Sequence, residues 1–266
     1  MNTTEEKATS DIDIIDDVGE LLHQFSPISL AELETSQLMT RFDEKYVFPS
    51  AFLPQILAEL KQHYHVLNVN DHRVTLYHNI YFDTKDLKAY HDHHNQRVNR
   101  FKVRFRHYSS SDVCFLEVKK KDNRRLTHKQ RVRVDEPANE LSEEHNAFLF
   151  HSVRELPLSL HHSLSNRFHR ITLVNESNRE RVTLDTHIHF MNRTSEKKLT
   201  GIAIAELKLE KHYEHSVFKK LMQQKRIFPM RISKYCIGMM LTHEGIKQNR
   251  FKRKLLTLKK YFNDLG

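Results

Sequence analysis

From Arg100 to Arg106 the chain alternates without a break, Arg-Phe-Lys-Val-Arg-Phe-Arg. A strand of this sequence carries four cations on one side and Phe101, Val103 and Phe105 on the other. The same grammar recurs downstream. Glu117, Lys119 and Lys121 share one face, as do Lys129, Arg131 and Arg133, then Arg181, Thr183 and Asp185, and finally Glu206, Lys208 and Glu210. In a single strand such alternation is the ordinary look of a solvated sheet face. Five strands together predict apolar faces packed outward against helices and charged faces lining a curved or closed sheet, a cationic tunnel with a few carboxylates in it.

Helical periodicity interrupts the strands. Phe52, Leu53, Ile56, Leu57 and Leu60 fit one face of a helix from Ala51 to His63, just after Pro49 and a short strand from Arg41 to Phe48. Further helices are predicted from Leu141 to Phe150 and from Ser216 to Gln224. Residues 1–25 hold seven acidic residues and one lysine, with a short helical pattern around Leu21, Leu22 and Phe25; this segment is predicted to be frayed or weakly docked. From Lys247 to Lys260 seven lysines and arginines interleave with Phe251, Leu255, Leu256 and Leu258, a basic amphipathic helix that could touch a membrane surface peripherally or pack by its leucines. The chain thus divides into an acidic N-terminal segment (1–25), a main domain (26–245) and a basic C-terminal helix (246–266).

Length and charge narrow the function. A chain of 266 residues suits one main core. Forty-three Lys and Arg against 34 Asp and Glu leave a formal charge of +9, which favours an anionic partner. Cys114 and Cys236 are the only cysteines, too few for a disulfide framework and too far apart for a CxxC site. With no signal-peptide pattern and no apolar run long enough for a bilayer, the expected location is the cytoplasm. His91, Asp92, His93 and His94, and the pair His161 and His162, lack the spacing of a transition-metal motif. Asp83 is expected to order the turn after its strand, with Thr84 helping to cap the segment beyond it. Nucleic-acid binding fits the basic balance, but no sequence-specific recognition motif is present and the phenylalanines alternate with cations as core residues do.

Seven segments, RFDEKYVF at 41–48, YFDT at 81–84, RFKVRFRHY at 100–108, FLEVKKK at 115–121, RVTLD at 181–185, AELK at 205–208 and SKY at 233–235, resemble in this order the VTC domain, the polyphosphate polymerase module of the triphosphate tunnel superfamily. The resemblance runs from about Ser36 to Gly245. It implies an α+β fold, an antiparallel eight-stranded β-barrel tunnel with peripheral helices. It also implies roles for particular residues. Arg104 and Arg106 correspond to paired tunnel arginines, and Lys119 and Lys234 to further groups at the reacting phosphates. Lys45, Lys129, Arg131, Arg167, Arg181 and Ser233 correspond to phosphate contacts, and Arg100, Lys102 and Lys208 join them through the strand alternation. Glu206 corresponds to a metal-binding glutamate for Mn²⁺ or Mg²⁺, with Glu117 assisting.

The chemistry suits those residue types. Arginine offers bidentate forks and lysine mobile point charges to a chain of phosphate oxygens. In phosphoryl transfer the protein supplies mainly positioning and charge, and a hard metal ion suits carboxylate and phosphate oxygens. The resemblance implies a phosphotransferase that moves the γ-phosphate of ATP onto polyphosphate. A metal-dependent triphosphatase and a non-catalytic polyphosphate-binding module are the alternatives. Eukaryotic modules of this kind sit in larger membrane assemblies, and coupling to transport does not carry over from the resemblance.

Overall fold

The computed structural model describes residues 18–35, 41–124, 126–154, 156, 159–210 and 215–260. Its strands are β1 (Pro27–Ile28), β2 (Arg41–Pro49), β3 (His65–Leu67), β4 (Thr75–Asp83), β5 (Arg100–Tyr108), β6 (Val113–Lys121), β7 (Thr127–Val134), β8 (His161–Asn175), β9 (Glu180–Met191), β10 (Glu196–Leu199) and β11 (Ile202–Glu210). The long strands run antiparallel in the order β2-β11-β9-β8-β4-β5-β6-β7, with β1, β3 and β10 attached at the side.

The outward packing follows from the alternation. Tyr46, Phe48, Ala205, Leu207, Val182, Leu184, Ile171 and Leu173 form one buried cluster with the helices Leu53–Leu60 and Val217–Gln224. Phe101, Val103, Phe105, Leu116 and Val118 form another beneath the helix Glu143–Ser152, whose first turn is closed by a capping box between Ser142 and His145. Val18 and Leu22 on a short helix, and Phe25 in the bend after it, are buried in the first cluster, so the expectation of a frayed segment is corrected for residues 18–25: three apolar anchors hold it down. Residues 1–17 lie outside the described residues.

The expected barrel is also corrected. Eight antiparallel strands form the path, but β2 and β7 do not pair among the described residues, so the sheet is curved and not closed. β7 pairs only with β6 and is exposed along nearly its whole length. Its Lys129, Arg131 and Arg133 give it the charged character that keeps a sheet edge unpaired.

The curvature has a direct witness. Lys45 on β2 reaches the Ile232 carbonyl (3.4 Å) and Lys102 on β5 reaches Ser233 Oγ (2.9 Å). In a flat sheet five strand spacings, roughly 24 Å, would separate those strands, and side chains standing perpendicular would not converge on adjacent residues. The inner face is concave and the segment around 230–234 bridges it, tied further by the Met230 N–H donating to the Lys45 carbonyl (2.7 Å).

Along the strands the inner face changes character. Lys45 gives way to Val47, Glu206 to Ile204 and Ile202, and Arg170 to Phe168 and Leu164. In β9 the change needs a bulge. His187, at φ 49°, is the extra residue opposite β8, and it switches the inward side from Asp185 to Ile188 and Phe190. The helix Lys234–Thr242 lies on this apolar end, buried almost throughout. Its all-round apolar sequence has no amphipathic period, so periodicity did not predict it. It packs closely: a Cβ at Gly238 would stand 2.5 Å from both Leu164 Cδ2 and Phe190 Cδ1. Gly238→Ala is therefore expected to destabilise the fold by about 1–3 kcal/mol. Thermal unfolding checks this, and an unchanged melting temperature would contradict the packing.

Candidate functional site

The charged end of the concave face is built by register. Lys45 stands opposite Glu206, Glu206 opposite Thr183, and Arg170 opposite both Asp185 and Thr75. Around the curve, Arg106 faces Asn79, Arg104 faces Glu117 and Lys102 faces Lys119, with Lys129 and Arg131 beyond on β7. Across this face comes the N-terminus of the Lys234–Thr242 helix, where Ser233 Oγ accepts from the Cys236 N–H and from Lys102.

Two buried carboxylates organise the cations. Asp185, 1% exposed, accepts from Arg170 Nε (2.6 Å) and Nη2 (2.7 Å) and from Lys234 Nζ, which also lies 4.7 Å from the Phe168 ring centre. Glu117, also 1% exposed, accepts from Arg104 Nε (2.9 Å) and Nη2 (2.7 Å) and pairs with Lys129. Arg104 further donates to the Tyr81 hydroxyl (3.2 Å). Glu206 Oε1 pairs with Lys208, while its Oε2 is held loosely, 3.9 Å from Lys45 Nζ.

Cations still outnumber anions here. Among the described residues, Lys102, Arg106 and Lys119 have no carboxylate partner. Arg106 donates to Asn79 Oδ1 (2.8 Å) and lies against the Tyr77 and Tyr108 rings. Lys102 has only the Ser233 hydroxyl. The electrostatics records the crowding. Burial pushes Lys119 well below the ordinary lysine value, and Arg104 and Arg106 push it further. Burial also lowers Lys102, with Lys45 and Arg104 adding to it. Lys234 and Lys208 are lowered by burial as well, against the pull of Asp185 and Glu206. For the carboxylates the balance is reversed: burial raises Glu117, Asp185 and Glu206, but neighbouring cations more than offset it and all three are lowered.

Not every residue expected at the site belongs to this cluster. Arg167 is exposed beside His78 and His189, on the side of β8 away from the concave face. Arg170 occupies the inner position instead, and with Asp185 it completes the site that the motifs left incomplete. Both were within reach of the alternation: Ile171 and Leu173 mark the outward face of β8, so Arg170 and Thr172 must face inward. Arg100 lies at the strand start, its Nη1 donating to the Arg97 carbonyl (2.7 Å), and Arg181 Nη2 donates to the Leu33 carbonyl (3.2 Å). Arg131 is exposed, stacked over the Phe115 ring at 4.4 Å. Glu117 and Glu206 stand on strands five places apart in sheet order.

Three acid, histidine or cysteine side chains do not converge into a metal site among the described residues. A bare dication is opposed by Lys45, Lys208 and Arg170. One carrying phosphate fits better: Glu206 Oε2 is a loosely held hard donor, and Thr183 Oγ1, opposite Glu206, is buried without a hydrogen-bond partner among the described residues. Asp83, expected to order its turn, does so. It accepts from the N–H groups of Thr84 (2.8 Å), Ala89 (2.8 Å) and Tyr90 (2.9 Å) and from the Tyr235 hydroxyl, while Thr84 Oγ1 accepts from the Lys88 N–H (2.9 Å).

Comparison with known proteins places this geometry. Residues 40–243 match the model of the VTC domain. Among solved structures, a candidate adenylate cyclase from Vibrio parahaemolyticus is similar at 12% identity, TM-score 0.45, over 75% of this chain and 97% of that one. A candidate adenylyl cyclase from Hippeastrum, described as having a dominant triphosphatase activity, is similar at 15% identity, TM-score 0.45, over 78% of this chain and 98% of that one. No curated protein sequence matches the chain.

The three depressed carboxylates set an acid limit. A group whose folded pKa lies below its unfolded value contributes stability above the unfolded value, about 4 for Asp and Glu, and loses it as pH falls through the folded value. The melting temperature is expected to fall steadily from about pH 5 downward, and Glu117→Gln to flatten that fall. A melting temperature unchanged to about pH 3 would contradict the ion-paired assignment.

Proposed function

The chain belongs to the VTC domain family, and from that premise we propose that it is a polyphosphate polymerase, transferring the γ-phosphate of ATP onto the end of a polyphosphate chain. The observation that carries this reading is the uncompensated charge of the concave face. Lys102, Arg106 and Lys119 are gathered without carboxylate partners, an arrangement that favours an extended polyanion. In the transfer, a terminal oxygen of the bound chain forms a new bond to the γ-phosphorus of ATP. The bond from that phosphorus to the β,γ-bridging oxygen breaks, and ADP leaves with the electron pair.

Each residue has a part in this scheme. Arg104 and Arg106 orient the phosphates bidentately, Arg104 being held rigid by Glu117. Lys119, Lys102 and Lys234 neutralise the charge that keeps two phosphate oxyanions apart. Lys45, Lys129, Lys208 and Arg170 extend the lining, and Ser233 fixes Lys102. Mn²⁺ or Mg²⁺ would supply further neutralisation, carried in on phosphate oxygens and held by Glu206, with Thr183 beside it. The exposed β7 side of the face, with Arg131 and Arg133, offers a path for a lengthening chain. A water in place of the chain end would give triphosphatase chemistry on the same lining.

Incubation with γ-labelled ATP and Mn²⁺, resolving free phosphate from long chains, tests the reading. A ladder of chains is expected; labelled free phosphate alone would overturn the polymerase in favour of hydrolysis. Arg106→Ala and Lys119→Ala are expected to lower turnover by about a hundredfold or more with less loss of melting temperature than Arg104→Ala, since neither side chain hydrogen-bonds a buried carboxylate. Arg104→Ala differs: it removes the main partner of buried Glu117 and is expected to cost about 3–5 kcal/mol of stability as well. Activity and melting curves on the three variants check this, and wild-type turnover in the first two would contradict the assignment. Glu206→Gln is expected to raise the Mn²⁺ concentration for half-maximal turnover while leaving metal-free tripolyphosphate binding intact; an unchanged Mn²⁺ requirement would move the metal elsewhere.

A further inference from the structure

Away from the concave face, a cavity of about 390 Å³ opens between the end of β4, the start of β8, the β9–β10 turn and the residue just past the Lys234–Thr242 helix. Its charged and titratable lining is Asp83, Lys85, His161, His162, Arg193 and His243, with Thr84, Leu87 and Ser163 completing the wall. The one carboxylate has its oxygens occupied by neutral donors. Both oxygens of Asp83 are taken, Oδ1 by the Thr84 and Ala89 amides and Oδ2 by the Tyr90 amide and the Tyr235 hydroxyl. Of the acids flanking the lining in sequence, Asp86 is bound to Thr84 and Glu244 is exposed.

Five cation-capable side chains share the wall with the single carboxylate of Asp83, whose donors are all neutral. Arg193 and His243 lie close enough to His162 to oppose its charge. Burial lowers His162, and the charges of Arg193 and His243 lower it further. His243 is lowered by burial too, against its bond to the Met239 carbonyl and the attraction of Asp83. His162 Nε2 lies 2.9 Å from Ser165 Oγ and His161 Nε2 lies 2.9 Å from Ser159 Oγ, and Nδ1 of each ring has no hydrogen-bond partner among the described residues.

We propose that this cavity is a second anion site that takes a phosphate group, either free phosphate or the terminal group of a phosphate chain. Arg193 offers a fork, Lys85 a mobile charge, and the imidazoles donate when protonated. An anion seated here offsets the charges of Arg193 and His243, which add to burial in holding His162 down, so binding draws protons onto the imidazoles and tightens as pH falls. The site shares Asp83 with Tyr235, the neighbour of Lys234, and so lies behind the segment that bridges the concave face.

The test is an NMR titration of the imidazole signals of His162 and His243 with inorganic phosphate and, separately, with tripolyphosphate. Saturable shifts are expected, at least about fivefold tighter at pH 6 than at pH 8. Arg193→Gln, an exposed position that leaves the concave face intact, is expected to weaken binding about tenfold or more while ATP turnover stays at the wild-type level. Shifts with phosphate identify free phosphate as the ligand, and shifts with tripolyphosphate alone identify a chain end. No saturable shift with either, or equal shifts in Arg193→Gln, would overturn the site. The same titration in Lys119→Ala separates it from the concave face: the shifts are expected to persist there whatever becomes of turnover.

Discussion

Everything about this molecule turns on holding many positive charges on the inside of a curved sheet. Like charges at that spacing repel, and burial penalises each one, so a lining of cations alone would flatten the sheet or draw water into it. The fold answers with a few buried carboxylates placed as internal counter-ions. Asp185 binds Arg170 and Lys234, Glu117 binds Arg104 and Lys129, and Glu206 binds Lys208 with Lys45 nearby. The compensation is partial by construction. Lys102, Arg106 and Lys119 are left over, and the polyphosphate chain we propose would supply their counter-charge.

The segment that bridges the sheet makes the arrangement specific. Ser233 and Lys234 come from the first turn of a helix whose remainder is buried on the apolar half of the inner face. That anchoring sets where the two polar residues stand, so packing around Gly238 and bonding at Lys102 belong to one structural unit. The bulge at His187 is what lets β9 present Asp185 at one end and Phe190 at the other. Without that switch of side, the same strand could not serve both the charged site and the apolar seat of the helix.

Much of this was legible in the sequence, because period-two alternation is a direct statement about sides. Arg104, Arg106, Lys119 and Glu117 share the inner side as their spacing requires, and the outward Phe101, Val103 and Phe105 lie beneath a helix. The failures have equally local causes. Arg167 and Arg170 are three apart and so on opposite sides; the resemblance pointed to Arg167, whereas Ile171 and Leu173, facing outward, mark Arg170 as the one on the concave face. The helix Lys234–Thr242 is apolar all round and carries no period to detect. Closure of the sheet depends on whether β2 and β7 meet, and alternation within strands contains no information about that.

The central claim is that the leftover lysines await an anion. Lys119 and Lys102 are held below the ordinary lysine value by burial and by their cationic neighbours. A bound polyanion would raise both, so binding is expected to draw protons onto them. Calorimetric titration with tripolyphosphate at about pH 8.5, repeated in buffers of different ionisation enthalpy, measures this directly. The account predicts net proton uptake that shrinks in Lys119→Ala; binding with no uptake, or with proton release, would contradict it.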